Sequence, residues 1–139
     1  MSAAQTLSNA SKCACGSTRK YIKCCGLYIK KGFQVPTAEE LMRSRYTAYV
    51  LNDKDYLLNT WHLSTRPVES DLEDEDVEWA SLDILASSDG TKSDNTGTVE
   101  FIAYYKRCGK LHNKKQHIHE VSNFVKENNQ WFYVDGLII

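Results

Sequence analysis

The apolar positions of this chain repeat about every 3.6 residues up to Val77 and about every 2 residues beyond it, so helices precede strands. Pro36-Thr37-Ala38-Glu39-Glu40 reads as a helix start, with Thr37 as the cap and Glu40 closing a capping box. The helix should run to about Leu51. Leu41, Met42, Tyr46, Ala48 and Tyr49 share one face, a normal core-facing stripe. Arg45 falls inside that stripe, whereas Arg43 projects to the opposite side and reads as a solvated charge. A guanidinium on a core face must be paired or line a polar cavity, so Arg45 predicts a buried carboxylate unless it only snorkels at the helix edge. A second short helix begins at Asn52 or Asp53. Tyr56, Leu57, Leu58 and Trp61 are its apolar residues, Thr60, His62, Ser64, Thr65 and Arg66 cluster near its end, and Pro67 breaks it.

Four strands follow, at about 77–87, 97–107, 115–127 and 130–138. The first changes phase, because Val77 and Trp79 share one parity and Leu82, Ile84 and Ala86 the other; a β-bulge near Ala80 or Ser81 accounts for it. The second is cleaner, with Val99, Phe101, Ala103 and Tyr105 on one face. Asn128-Asn129 tolerates the positive φ of a two-residue turn and joins the last two strands. That register pairs Lys126 with Trp131, Phe124 with Tyr133 and Ser122 with Asp135. One face then carries Glu120, Ser122, Phe124, Trp131, Tyr133 and Asp135, and the other His119, Val121, Val125, Phe132 and Val134. Half-apolar faces on both sides suit a curved sheet with helices inside its bend, and Glu120 and Asp135 are the natural acceptors for Arg45.

Charge divides the chain. Residues 1–38 hold six basic residues (Lys12, Arg19, Lys20, Lys23, Lys30 and Lys31) and no acid, while the remainder has eleven basic and eighteen acidic residues. Seven acids crowd residues 69–78, without the regular alternation or glycine of a calcium loop, and read as a solvated loop. No repeat, low-complexity tract or membrane span is evident. The first twelve residues contain no apolar run like a secretory signal, which points to the cytoplasm.

Four of the five cysteines form two tight pairs, Cys13/Cys15 and Cys24/Cys25. Four thiolates at short loop distance make a closed tetrahedral site for structural Zn²⁺. The competing reading is a pair of disulfides. Bridging within either pair strains the ring, and cross-bridges would need an oxidising compartment. Interleaved lysines and arginines would offset the negative charge of a metal tetrathiolate. Cys108, between basic neighbours, reads as an ordinary thiol in a turn. His112, His117 and His119 are loosely spaced, and strand alternation puts only the last two on one face, a poor second metal site.

Cys-x-Cys-Gly-Ser followed by Lys-Tyr-x-Lys-Cys-Cys-Gly resembles the SEC-C zinc module found at the C-terminus of the preprotein translocase motor. The resemblance implies Zn²⁺ on Cys13, Cys15, Cys24 and Cys25, and a docking role, since in the translocase the module contacts a chaperone and the ribosome. The remaining motifs, among them Leu41 to Tyr49, Thr60-Trp61-His62, Glu78-Trp79, His119 to Phe124 and Trp131 to Gly136, resemble the YchJ family. That implies an α+β architecture: a zinc module over residues 1–34, then an NTF2-like, cystatin-like cone over 35–139 with helices packed in a curved antiparallel sheet. Members often carry a second SEC-C module, and none occurs up to Ile139.

Two functional expectations follow. In the first, the chain is a non-enzymatic docking protein whose zinc module meets a protein or ribosome-type partner; RNA binding through the basic residues is a weaker variant. In the second, the cone holds a small ligand or performs acid–base chemistry, using a polar cluster of Arg45, Trp61, His62, Glu120, Ser122, Tyr133 and Asp135. Against the second stands a plain structural role, in which Arg45 and a carboxylate pair off and the aromatic residues fill the cone.

Overall fold

A computed structural model of the chain describes residues 5, 7–72, 77–107 and 114–139. The chain begins with a short 3₁₀ turn, Tyr21–Lys23, and helix α1, Gly26–Ile29. Helices α2, Ala38–Leu51, and α3, Lys54–Asn59, precede strands β1, Val77–Asp89, β2, Thr96–Arg107, β3, Lys115–Glu127, and β4, Gln130–Ile138. The strands make one antiparallel sheet in the order β1-β2-β3-β4, so the architecture is α+β, a four-stranded sheet with few helices.

Helix α2 starts and stops where its caps dictate. The Thr37 hydroxyl accepts the Glu40 N–H at 3.2 Å and donates to the Glu40 carboxylate at 3.0 Å. Asn52 closes the other end in the left-handed conformation, φ 57°. Helix α3, capped by Asp53, ends at Asn59, well short of Pro67. The Thr60 hydroxyl turns back onto the Tyr56 carbonyl at 2.8 Å, and Trp61 leaves to bridge Tyr133 of β4. Tertiary pairing therefore ends the helix before its proline does.

The sheet bends at three register shifts. The first, between Trp79 and Ser81, is the bulge expected from the phase change in β1. A second, between Ile84 and Ala86, turns Ala86 opposite Glu100, away from the inner row. Asn128 and Asn129 both have positive φ, and the hairpin register places Lys126 against Trp131 and Phe124 against Tyr133, as expected. A third shift then pairs Asn123 with Asp135 and Ser122 with Gly136. The expected pairing of Ser122 with Asp135 does not form, because one extra residue in β4 reverses the faces beyond Tyr133.

The core lies between α2 and the inner sheet face, where Leu41, Val99, Phe124 and Trp131 are all but inaccessible. Cys13, Cys15, Cys24 and Cys25 join the same apolar cluster, so the N-terminal segment packs against α2 and shares the core. Tyr49 is 39% exposed, at the edge of its stripe. No helix among the described residues is long and apolar enough to cross a membrane.

Candidate functional site

An antiparallel crossing at Lys12 and Lys20 brings the two cysteine pairs together, with Cys13 N–H donating to Arg19 at 2.8 Å and Tyr21 N–H to Ser11 at 2.8 Å. Between them the chain reverses through Gly16 and Thr18, both at positive φ. Cys24 and Cys25 lie at the end of the 3₁₀ turn and the start of α1. A Cβ on Gly26 would sit 2.6 Å from the Tyr21 carbonyl oxygen, so only glycine lets α1 leave this knuckle. The four cysteines are free and buried, with their sulfurs within 4.8 Å of one another. Cys15 and Cys24 Sγ are 3.6 Å apart. Sulfurs about 2.3 Å from one tetrahedral metal would be separated by about 3.8 Å, so the cluster could hold a metal ion.

Polar groups approach the sulfurs from outside. Ser17 Oγ lies 3.0 Å from Cys24 Sγ, and Thr47 Oγ1, on α2, lies 3.8 Å from Cys13 Sγ. Arg43 Nη1 donates to the Cys15 carbonyl at 2.8 Å and to its sulfur at 3.9 Å, while Nε meets Glu39 at 3.2 Å. Arg43 is therefore not the solvated charge its wheel position suggested: the cysteine module covers that face of α2. Burial lowers its proton affinity, but Glu39 and Cys15 more than offset this. Among the thiols themselves, hydrogen bonds from Cys15 and Cys25 bring Cys13 down to about 3, and Cys25 brings Cys24 down to about 6, despite burial. Cys25, hydrogen-bonded to Cys13, Cys15 and Cys24 and deeply buried, is pushed up. A cation of charge two would displace the proton that Cys25 holds.

The second cluster surrounds Arg45, which is 3% exposed. Its Nη1 donates to the Leu57 carbonyl and to Thr60 Oγ1, each at 2.8 Å. The guanidinium carbon lies 4.8 Å from the Trp61 ring centre and 4.5 Å from that of Tyr133, whose rings meet edge to face. Among the described residues no carboxylate is ion-paired with Arg45, contrary to expectation. Burial lowers its pKa, and the potentials of Tyr49, Tyr133, Tyr56 and Glu120 act against that. Backbone oxygen and two aromatic faces take the place of a carboxylate. Trp61 Nε1 is buried with no hydrogen-bond partner.

The remaining members of the expected cluster separate. Glu120 stays on the inner face, accepts from the buried Ser122 hydroxyl at 2.7 Å, and occupies space that a Cβ on Gly136 would fill, 2.1 Å from Oε2. Asp135 is turned outward by the third register shift and accepts from Asn123 Nδ2 at 2.7 Å. His62 wraps the edge of β4, with Nε2 3.0 Å from Glu127, Nδ1 2.7 Å from Ser64, and its ring against Phe132. Arg45, Trp61 and Tyr133 are thus together, Glu120 and Ser122 are nearby, and His62 and Asp135 are elsewhere. Thr60, Thr47 and Arg43 were not anticipated. Small polar Ser44 and Thr47 beside Arg43 were the available signal, since a helix with few bulky polar residues on any side is covered on both. His119 meets Glu100 at 2.7 Å on the outer face; Cys108 and His112 lie outside the described residues, as does the middle of the acidic run.

Residues 37–136 match the family described as YchJ, middle NTF2-like domain. The chain belongs to the YchJ family. A UPF0225 protein of Bordetella parapertussis is 45% identical over 131 residues, covering 93% of this chain and 94% of its own. One from Streptomyces coelicolor is 46% identical over 124 residues, covering 89% and 93%. The solution structure of a SEC-C motif containing protein from Rhodopseudomonas palustris matches this YchJ-family chain with a TM-score of 0.78 at 34% identity, covering 93% and 99%. A crystal structure of another such protein, from Psychrobacter arcticus, matches at 0.66 and 29%, covering 94% and 84%.

Proposed function

We propose that this YchJ-family chain is a non-enzymatic docking protein in which Zn²⁺ on Cys13, Cys15, Cys24 and Cys25 fastens a basic N-terminal module to the NTF2-like domain. Four soft thiolates select zinc over hard cations and complete its coordination, so the metal is structural and leaves no position for substrate. The observation that carries the docking reading is electrostatic. Lys12, Arg19, Lys20, Lys23, Lys30 and Lys31 are all exposed, and none is ion-paired among the described residues. Such an acid-free surface fits an acidic protein or nucleoprotein partner.

Affinity capture on the zinc-loaded full-length chain tests this, compared with a Lys20→Glu/Lys23→Glu/Lys31→Glu variant of unchanged Tm. The partner should be lost from the variant and released near 1 M salt, where screening acts within about 3 Å. Equal capture by both proteins would refute the reading.

A second reading, a ligand site in the NTF2-like domain, draws support from Arg45 and Trp61, whose buried donors lack a carboxylate and an acceptor respectively. It predicts that a small carboxylate such as benzoate raises the Tm of the wild type but not of Arg45→Lys; identical shifts would exclude it.

A further inference from the structure

Where the cysteine module meets the NTF2-like domain there is an open cavity of about 350 Å³, away from the cysteine cluster and touching the Arg45 cluster only through Thr60. Its volume is at the lower end for small-molecule sites, the size of one or two rings. One wall comes from the module and the segment after it, through Tyr28, Gly32, Phe33 and Gln34. The other comes from the domain, through Leu41, Tyr56, Asn59, Thr60, Gln130 and Trp131. Trp131 and Leu41 are buried and form the base, whereas Phe33, 59% exposed, stands at the rim.

The chemistry of the lining is selective. A quarter of the chain is charged, yet no Asp, Glu, Lys, Arg or His lines this cavity. Tyr28 and Tyr56 stay neutral, since burial raises both. Their hydroxyls are engaged, Tyr28 donating to Glu40 at 2.6 Å and Tyr56 sharing a 2.7 Å bond with Ser44, so they present rings rather than hydroxyls. Thr60 Oγ1 is likewise occupied by Arg45 and Tyr56. Among the described residues the carboxamides of Asn59 and Gln130 have no protein partner. Each offers a donor and an acceptor side by side, the complement of an amide edge. The lining offers a charged ligand no counter-ion, so charge brings it no gain here.

We infer that this seam cavity binds an uncharged, flat heteroaromatic ring bearing an amide-like edge, stacked on Phe33, Tyr28 or Tyr56 above the buried Trp131 and read by Asn59 and Gln130. The module is then one wall of a binding site as well as a docking surface. This is independent of the docking reading, which survives if the cavity is idle.

The test is an NMR titration of the full-length, metal-loaded chain with nicotinamide, adenine and nicotinate, observing the indole N–H of Trp131, which bonds the Pro36 carbonyl at 3.1 Å beside the cavity. At least one neutral probe should saturate with a Kd of about 1 mM or tighter. Nicotinate should bind about 10-fold more weakly than nicotinamide, and Phe33→Ala and Asn59→Ala, both at exposed positions, should each weaken the neutral probe by about 10-fold at unchanged Tm. No saturable shift with either neutral probe, an equal response to nicotinate, or undiminished affinity in both variants would overturn the proposal.

Discussion

Arg43 holds the sulfur cluster from the side of α2, donating to both the carbonyl and the sulfur of Cys15. Groups in that position fix ligand orientation and offset thiolate charge. Arg43→Met should therefore weaken metal binding by about 10- to 100-fold in a competitive chelator titration, while the metal-loaded fold persists; unchanged affinity would make Arg43 a surface tether only. At this scale the sequence was uneven as a guide. The four cysteines were legible because spacing alone restricts what they can do. Arg45 was correctly placed inside, with Trp61 and Tyr133 in its expected cluster, but its acceptors were not, since a backbone carbonyl and a threonine hydroxyl leave no mark in a helical wheel. Arg43 was misread because a wheel gives a direction and does not say what lies there. Asp135 was misread because one residue inserted in β4 reverses its side, a shift that the neighbouring Gly136 alone did not announce.

At the scale of elements, local chemistry was a better guide. Thr37, Glu40 and Asn52 bound α2 where capping rules require, and the paired asparagines turn the last hairpin. Thr37→Ala should cost about 1 kcal/mol in a denaturant titration, with the midpoint moving and the slope constant; no change would mean that packing on the β1–β2 turn, through Ala38 N–H to Gly90 at 3.0 Å, holds the helix start unaided. Elements were misjudged where tertiary pairing outweighs local preference. Helix α3 loses its last residues because Trp61 gains a partner in β4 and Thr60 closes the turn. The second bulge of β1 leaves Leu85 unpaired and 49% exposed and carries Ala86 off the inner row, where alternation had placed it with Leu82 and Ile84.

Across the whole molecule, the cysteine module and the NTF2-like domain share one apolar cluster, so removal of the metal should be felt by the sheet as well as by the module. Alkali should unfold the chain for a separate reason. Burial pushes Tyr56 and Tyr133 each up to about 12, and Tyr46 also upward. A folded pKa above the unfolded one, about 10, gives stability that is complete below pH 10 and lost as pH rises towards 12. The Tm should fall across that interval with phenolate absorbance appearing at the unfolding transition; phenolate forming near pH 10 in a folded chain would contradict it. Central to the proposal is that a metal ion, which the four buried cysteines could hold, joins two parts into one core. Metal content and thermal unfolding of the purified full-length chain, before and after chelation under reducing conditions, test it most directly. One zinc per chain, a tetrahedral thiolate spectrum on cobalt exchange, and a single unfolding transition lowered by chelation are expected; a metal-free chain with the same Tm would contradict it.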